Sequence, residues 1–167
     1  MKRVGQNRNS SSSSNGFNIG NADLAELIRD VLAEGSIFQF TATGSSMLPF
    51  IRSGDTLKIA AFAGKQPVLG QVLAFRSQLN QRLMVHRLVA KEDGKCILRG
   101  DSYGKHMRDV VPPQSLLGVV TNIERAGNSI RFGLGFERVP IALLSRFHLL
   151  LPLIQILRKA KNKLENL

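Results

Sequence analysis

The sequence predicts a mainly β domain, an antiparallel coiled or barrel-like sheet assembly with a short N-terminal helix and an amphipathic C-terminal helix. Three observations lead to that class. Short segments rich in β-branched and aromatic residues recur through the middle of the chain, at 37–40, 56–59, 72–75, 83–85 with 88–89, 97–98, 116–123 and 129–132. Turn signals separate them: Gly44, Gly54-Asp55, Gly70, Asp93-Gly94, Gly100-Asp101, Pro112-Pro113 and Gly127-Asn128. No helical period lies between these segments, which argues against a doubly wound α/β fold and for strands paired through short connections.

The ends follow other patterns. Residues 1–20 are polar and of low complexity, with a serine run over 10–14, and predict a disordered tail. Order is expected from Asn21, a candidate helix cap. Leu24, Leu27, Ile28, Val31 and Leu32 then recur at helical spacing as far as Gly35, a natural stop. Residues 21–138 are thus expected to form the β domain with its leading helix. From Pro140 the period is helical again, so 139–167 reads as an amphipathic, basic C-terminal helix.

Composition narrows the function. A chain of 167 residues with 43% hydrophobic and 21% charged residues suits one packed domain plus tails. The one cysteine, Cys96, excludes an internal disulfide and a cysteine-based zinc cluster. His86, His106 and His148 stand at no metal-ligand spacing, so neither metal nor cofactor is expected. The net charge of +11 fits an anionic membrane, a nucleic acid or a solvated basic surface. Lys2, Arg3 and Arg8 at one end and Arg158, Lys159, Lys161 and Lys163 at the other concentrate it at the termini. That distribution favours a membrane surface, and no nucleic-acid partner is expected. The serine run occupies the place of an apolar signal-peptide core, so a membrane-associated or cytoplasmic protein without an N-terminal signal peptide is expected.

The chemistry gathers in three boxes. Gly44-Ser45-Ser46-Met47-Leu48-Pro49 lies between two predicted strands, where a loop serine can face a cleft while its N–H binds an oxyanion. Alone, this is also an ordinary tight turn stiffened by Pro49. His86 lies within an apolar strand, where a histidine is commonly a satisfied core side chain. Gly100-Asp101 closes the next strand and Asp109 follows, although aspartate after glycine is a common turn residue. Each box is bland, but the order and spacing of the set are specific.

Ser46-Met47-Leu48-Pro49, Gly54-Asp55, Gly70-Gln71-Val72, His86-Arg87 and Gly100-Asp101 occur in that order over roughly residues 36–121. In this the chain resembles the signal-peptidase family of serine peptidases and its relatives that cleave phage and SOS repressors. Many bacterial members carry lysine at the base position. The His86-Arg87 pair is similar instead to endoplasmic-reticulum-type signal peptidases and their archaeal and spore-former relatives. The resemblance implies a signal-peptidase/repressor-protease fold, Ser46 as nucleophile, His86 as general base and later acid, and Asp101 or Asp109 as the carboxylate. It places Gly44, Ser45, Met47 and Pro49 around the substrate and oxyanion site. It also implies a peptide or protein substrate, held extended and cut after small residues.

The chemistry is consistent with these roles. Serine is a weak nucleophile near neutral pH and needs a positioned base. Imidazole, with an ordinary pKa of about 6.5, can take the proton and return it to the leaving amine. A carboxylate on the other ring nitrogen would set its tautomer. The chain departs from the family pattern in four places. No transmembrane helix is read at its start, Gln71 stands where aspartate is usual, and Gly44 stands where some relatives have an oxyanion serine. The stretch from Asp101 to Asp109 is also longer and more basic than usual. Two other readings remain. One is a repressor-type regulatory or self-cleaving peptidase, although the helical segment before Gly35 is too short for a DNA-binding helix-turn-helix. The other is a catalytically silent β module that binds peptides or membranes.

The C-terminal segment carries its own expectation. Residues 139–157 are apolar and nearly as long as the roughly 20 residues a span needs. Arg146, His148, Pro152 and Gln155 interrupt them. Ser145, His148, Pro152, Gln155 and Lys159 fall three or four residues apart, as one polar stripe along a helix would. Leu149, Leu150, Leu153, Ile154, Ile156 and Leu157 fill the remaining arc. The helix is expected to lie on a membrane surface, and packing on the β domain is the other reading.

Overall fold

The apolar segments and turns of the sequence resolve into antiparallel strands in the computed structural model, which describes residues 21–104 and 106–165. The tail predicted over 1–20 lies outside the described residues. The strands are β1 (Phe38–Thr41), β2 (Thr56–Ala60), β3 (Val72–Arg76), β4 (Leu83–Glu92), β5 (Lys95–Arg99), β6 (Asp109–Val111), β7 (Leu116–Arg125) and β8 (Asn128–Ile130). The helices are α1 (Asn21–Ala33), α2 (Arg138–Arg146) and α3 (Leu150–Glu165). One sheet runs in the order β1-β2-β7-β3-β4-β5-β6, and β8 pairs with β7.

Register shifts at Lys58/Ile59, Ala74/Phe75 and Leu88/Ala90 bend the sheet, because a residue inserted on one strand increases local twist. The sheet curls into a half-barrel, and its middle strands are buried on both faces. Along β3, Val72 and Ala74 join the cluster of α1, β2 and β7, whereas Leu73 and Phe75 join Leu88, Cys96 and Leu98. A strand packed on both faces needs no polar alternation, which accounts for the unbroken apolar run at 72–75.

Helix α1 covers the first cluster with Ala25, Ile28 and Leu32, all buried. It ends as expected at Gly35, whose φ of +77° lets the Gly35 and Ser36 N–H groups turn back to the Leu32 and Val31 carbonyls. Asn21 is the first described helical residue, and the cap predicted for its side chain lies outside the described residues.

Two features differ from expectation. Strand β6 was not foreseen, and it presents Asp109. The C-terminal segment is two helices meeting at 111°, not one. His148, with φ +63°, makes the elbow, and its Nδ1 takes a hydrogen bond from Arg99. Helix α2 buries Ile141, Ala142 and Ser145, and Ala142 packs with Val89, Ala90 and Ile97, so it belongs to the β domain. The single polar stripe through Ser145 and His148 therefore does not form: Ser145 is buried and His148 faces Arg99.

Candidate active site

Ser46 sits in a loop whose two ends are tied together. The Ala42 N–H donates to Asp55 O at 2.8 Å, and the Gly54 N–H donates to Ala42 O at 2.9 Å. The buried Asp55 carboxylate accepts the Arg52 N–H at 2.7 Å and two Arg125 nitrogens at 2.8 and 2.7 Å. These Arg125 hydrogen bonds, against the opposing effect of burial, hold the Asp55 carboxyl below its ordinary range. Gly54-Asp55 is thus a clasp that fixes the serine loop to β7. Within the loop, Met47 is buried in the same cluster as Ile51 and Leu57 and acts as a peg. Its neighbour Ser46 is left half-buried, Ser45 is exposed, and Leu48 and Pro49 are half-buried. Gly44 turns the chain into the loop with φ +96°.

His86 is completely buried in the centre of β4. Its Nδ1 lies 2.7 Å from Asp109 Oδ2, and Asp109 is partly open to solvent. The ring is held by Phe75, centroids 5.6 Å apart, and by an edge-on contact with Tyr103 at 5.0 Å. With Nδ1–H given to the carboxylate, the Nε2 lone pair is left as the acceptor. Nε2 is buried and has no hydrogen-bond partner among the described residues. Such an unsatisfied atom is costly in a core and calls for a role.

The next residue on β4 points to the other face of the sheet. Arg87, fully buried, donates from Nε and Nη2 to the two oxygens of Asp101 at 2.8 and 2.7 Å. Its Nη1 donates to the Gly70 and Gly133 carbonyls, and its guanidinium lies 5.3 Å from the Phe50 ring centroid. Burial pushes the Asp101 carboxyl above its ordinary range, and the Arg87 charge opposes that push. Of the two aspartates expected as partners of the histidine, Asp109 makes the contact and Asp101 is committed to Arg87. The reason is strand alternation, which sends His86 and Arg87 to opposite faces.

Gly100 lies between the serine loop and the strand that carries this histidine; Ser46 Oγ makes no hydrogen bond to His86 Nε2. Arg87 pairs with Arg99 in the β4–β5 ladder, so one further step of the register sets Gly100 opposite His86. A Cβ on Gly100 would lie 2.7 Å from the Ser46 carbonyl oxygen, 3.1 Å from Ser46 Cβ and 3.1 Å from the Tyr103 ring. Only glycine lets the two loops approach so closely. The contact is locked by Ser102, whose N–H donates to Ser46 O at 2.9 Å and whose Oγ donates to Ser45 O at 2.6 Å.

Beside Ser46 lies a cleft of about 260 Å³, lined in part by Phe40, Ala42, Met47, Leu83 and Val85. Two unpaired strand edges border it. Among the described residues β1 ends the sheet, and the β4–β5 pairing begins only at Arg87, which leaves 83–85 without a paired strand on that side.

Sequence reasoning missed the structural roles of Arg87, Ser102, Tyr103 and Gln71. Gln71 Oε1 accepts the Val68 N–H at 2.9 Å and so closes the turn into β3. Among the described residues, no group of three or more His, Cys, Asp or Glu is placed to hold a metal ion. No family model matches the sequence, and no curated protein matches it either.

Proposed function

We propose that the chain is a serine endopeptidase of the signal-peptidase type, with Ser46 as nucleophile, His86 as general base and Asp109 as the carboxylate that orients it. The observation carrying this reading is the buried His86, tied to Asp109 through Nδ1 and free at Nε2 among the described residues. It lies across Gly100 from Ser46.

In the first step Ser46 Oγ bonds to the substrate carbonyl carbon and its proton passes to His86 Nε2. Collapse of the tetrahedral intermediate breaks the C–N bond, and Nε2 returns the proton to the leaving amine. Water, deprotonated by the same nitrogen, then releases the acyl group and restores Ser46. Asp109 keeps Nδ1 protonated throughout and stabilises the imidazolium.

The oxyanion donor is the Ser46 N–H. The Ser45 carbonyl is drawn to the Ser102 hydroxyl, and in a trans peptide the following N–H points the opposite way. That N–H is thereby fixed before substrate arrives, which is the requirement for electrostatic stabilisation of the intermediate. The free edges of β1 and of 83–85 suit a substrate bound as an added strand. Cleavage after small residues belongs to the same proposal and rests on the resemblance of the boxes.

The test is cleavage of extended peptides with alanine or glycine before the scissile bond, followed by mass spectrometry. Ser46→Ala and His86→Ala should each lose about 10³-fold or more in turnover while remaining folded. Ser45→Ala should stay near the parent. Parent-level turnover by Ser46→Ala would remove the assignment.

A further inference from the structure

Helix α3 has two apolar sides, and the domain uses one. Leu150 and Ile154 pack with Phe50, Ile141 and Leu144 and anchor the first turns. Leu149, Leu153, Ile156, Leu157 and Leu164 face away and are 54, 40, 63, 60 and 73% exposed. At 3.6 residues per turn these five fall within an arc of roughly 100°. The same geometry sets Lys163 on one border of the arc with Lys159 beyond it, while Lys161 continues the side of Leu150 and Ile154, with Arg158 beyond. At the elbow Phe147 is 65% exposed, and on α2 Val139 and Leu143, each 39% exposed, precede it at four-residue intervals.

The charge around this surface is mostly positive, and the acids at its borders are Glu137 before α2 and Glu165 at the end of α3. No acidic residue occurs between 138 and 164. At the elbow, Arg99, His106, Arg108, Arg146 and His148 line a cleft of about 410 Å³, and its one acid, Glu92, pairs with Arg108 at 3.9 Å.

We propose that the α2–α3 elbow and α3 dock on an anionic bilayer, with the leucine–isoleucine row at the acyl boundary and the flanking cations among the headgroups. Charge selects this occupant, because a second copy would bring the same cations face to face. No single helix among the described residues is long and apolar enough to cross a membrane. The bent α2–α3 pair together has the length and apolarity of a broken span, but α2 buries Ile141, Ala142 and Ser145 on the β domain, which leaves α3 to lie at an interface. The surface is independent of the catalytic residues, so it stands or falls apart from the peptidase reading.

The sequence has no tryptophan, so Ile156→Trp supplies a single fluorescent reporter on the exposed row. The full chain is mixed with phosphatidylcholine vesicles, with or without a third of phosphatidylserine, at about 0.1 and 0.5 M salt. The expected result is blue-shifted emission and co-sedimentation on the anionic vesicles, weakened at high salt. In the same background, Lys159→Glu with Lys163→Glu should lower partitioning by about tenfold or more, and Leu153→Asp with Leu157→Asp should abolish it. Each variant should keep the parent melting temperature, since these side chains face away from the domain. Three outcomes overturn the proposal: no shift from a folded protein, equal binding to neutral vesicles at both salts, or a blue shift that grows with protein concentration without lipid. The last would indicate self-association.

Discussion

Arg87 grips Asp101 through two hydrogen bonds of 2.8 and 2.7 Å, with both side chains fully buried. The adjacent His86 reaches across β5 to Asp109 on β6. Two consecutive residues of one strand therefore divide two aspartates between them, one for the framework and one for the candidate chemistry. The division yields opposite expectations for two similar substitutions.

Asp109→Asn should leave the fold intact and lower kcat by about 10³–10⁴-fold, since the amide would favour the wrong histidine tautomer. Asp101→Asn should instead lose about 3–5 kcal/mol of stability, because Arg87 is left as a buried charge without its counterion. Peptide turnover and urea denaturation on the same two variants check the pair. Equal catalytic losses at unchanged stability would count against the division.

Gly100→Ala should cost activity more than stability. Its methyl group would meet the Ser46 carbonyl at 2.7 Å, a backbone atom that can yield only if the serine loop moves. Displacement by about 1 Å is enough to lower turnover about 100-fold. Gly44→Ala meets no neighbour within 4 Å and carries only the strain of φ +96°, of order 1–3 kcal/mol, so it should lower the melting temperature first. Thermal melts and kcat separate the two.

Ser102→Ala removes the Oγ bond to Ser45 O but keeps the backbone bond to Ser46 O. We expect a loss in kcat of about tenfold with little change in KM, as for a residue that positions the loop without touching substrate. Ser102→Thr, which retains the hydroxyl, should restore most of it.

Acid stability should depend on Asp55. Its folded pKa lies below the ordinary value of 3.8, chiefly because Arg125 hydrogen-bonds the carboxylate. Folding therefore favours the ionised form. The stabilisation is complete above the ordinary aspartate range and is lost as pH falls through the lowered folded value. Asp55→Asn should be less stable than the parent at pH 7, with the gap in urea midpoint closing below about pH 4. A gap that stays constant across that range would assign the Asp55 contribution to packing instead of charge.

Much of this arrangement was legible in the sequence. Short segments rich in β-branched and aromatic residues, with the turns between them, located seven of the eight strands, and the order of the boxes singled out Ser46 and His86 as candidates. β6 escaped because three residues, Asp109-Val110-Val111, carry too short a pattern to register. The choice between Asp101 and Asp109 was not legible, since it follows from which face each β4 residue takes and from the pairing of β6 on β5. The elbow was hidden for a similar reason. It forms where His148 meets Arg99, 49 residues away in sequence, and no glycine or proline marks it. Pro152, read as an interruption, instead lies in the first turn of α3, where its missing N–H costs nothing.

The most direct measurement is the site of covalent capture. An extended peptide ending in an aryl phosphonate presents phosphorus to a nucleophilic serine; attack displaces the phenol and leaves a stable ester that mass spectrometry can map. We expect one adduct, on Ser46, absent from Ser46→Ala and slowed about 10³-fold or more in His86→Ala. An adduct on another residue, or peptide cleavage by a folded protein whose Ser46 stays unmodified under capture, would contradict the catalytic assignment.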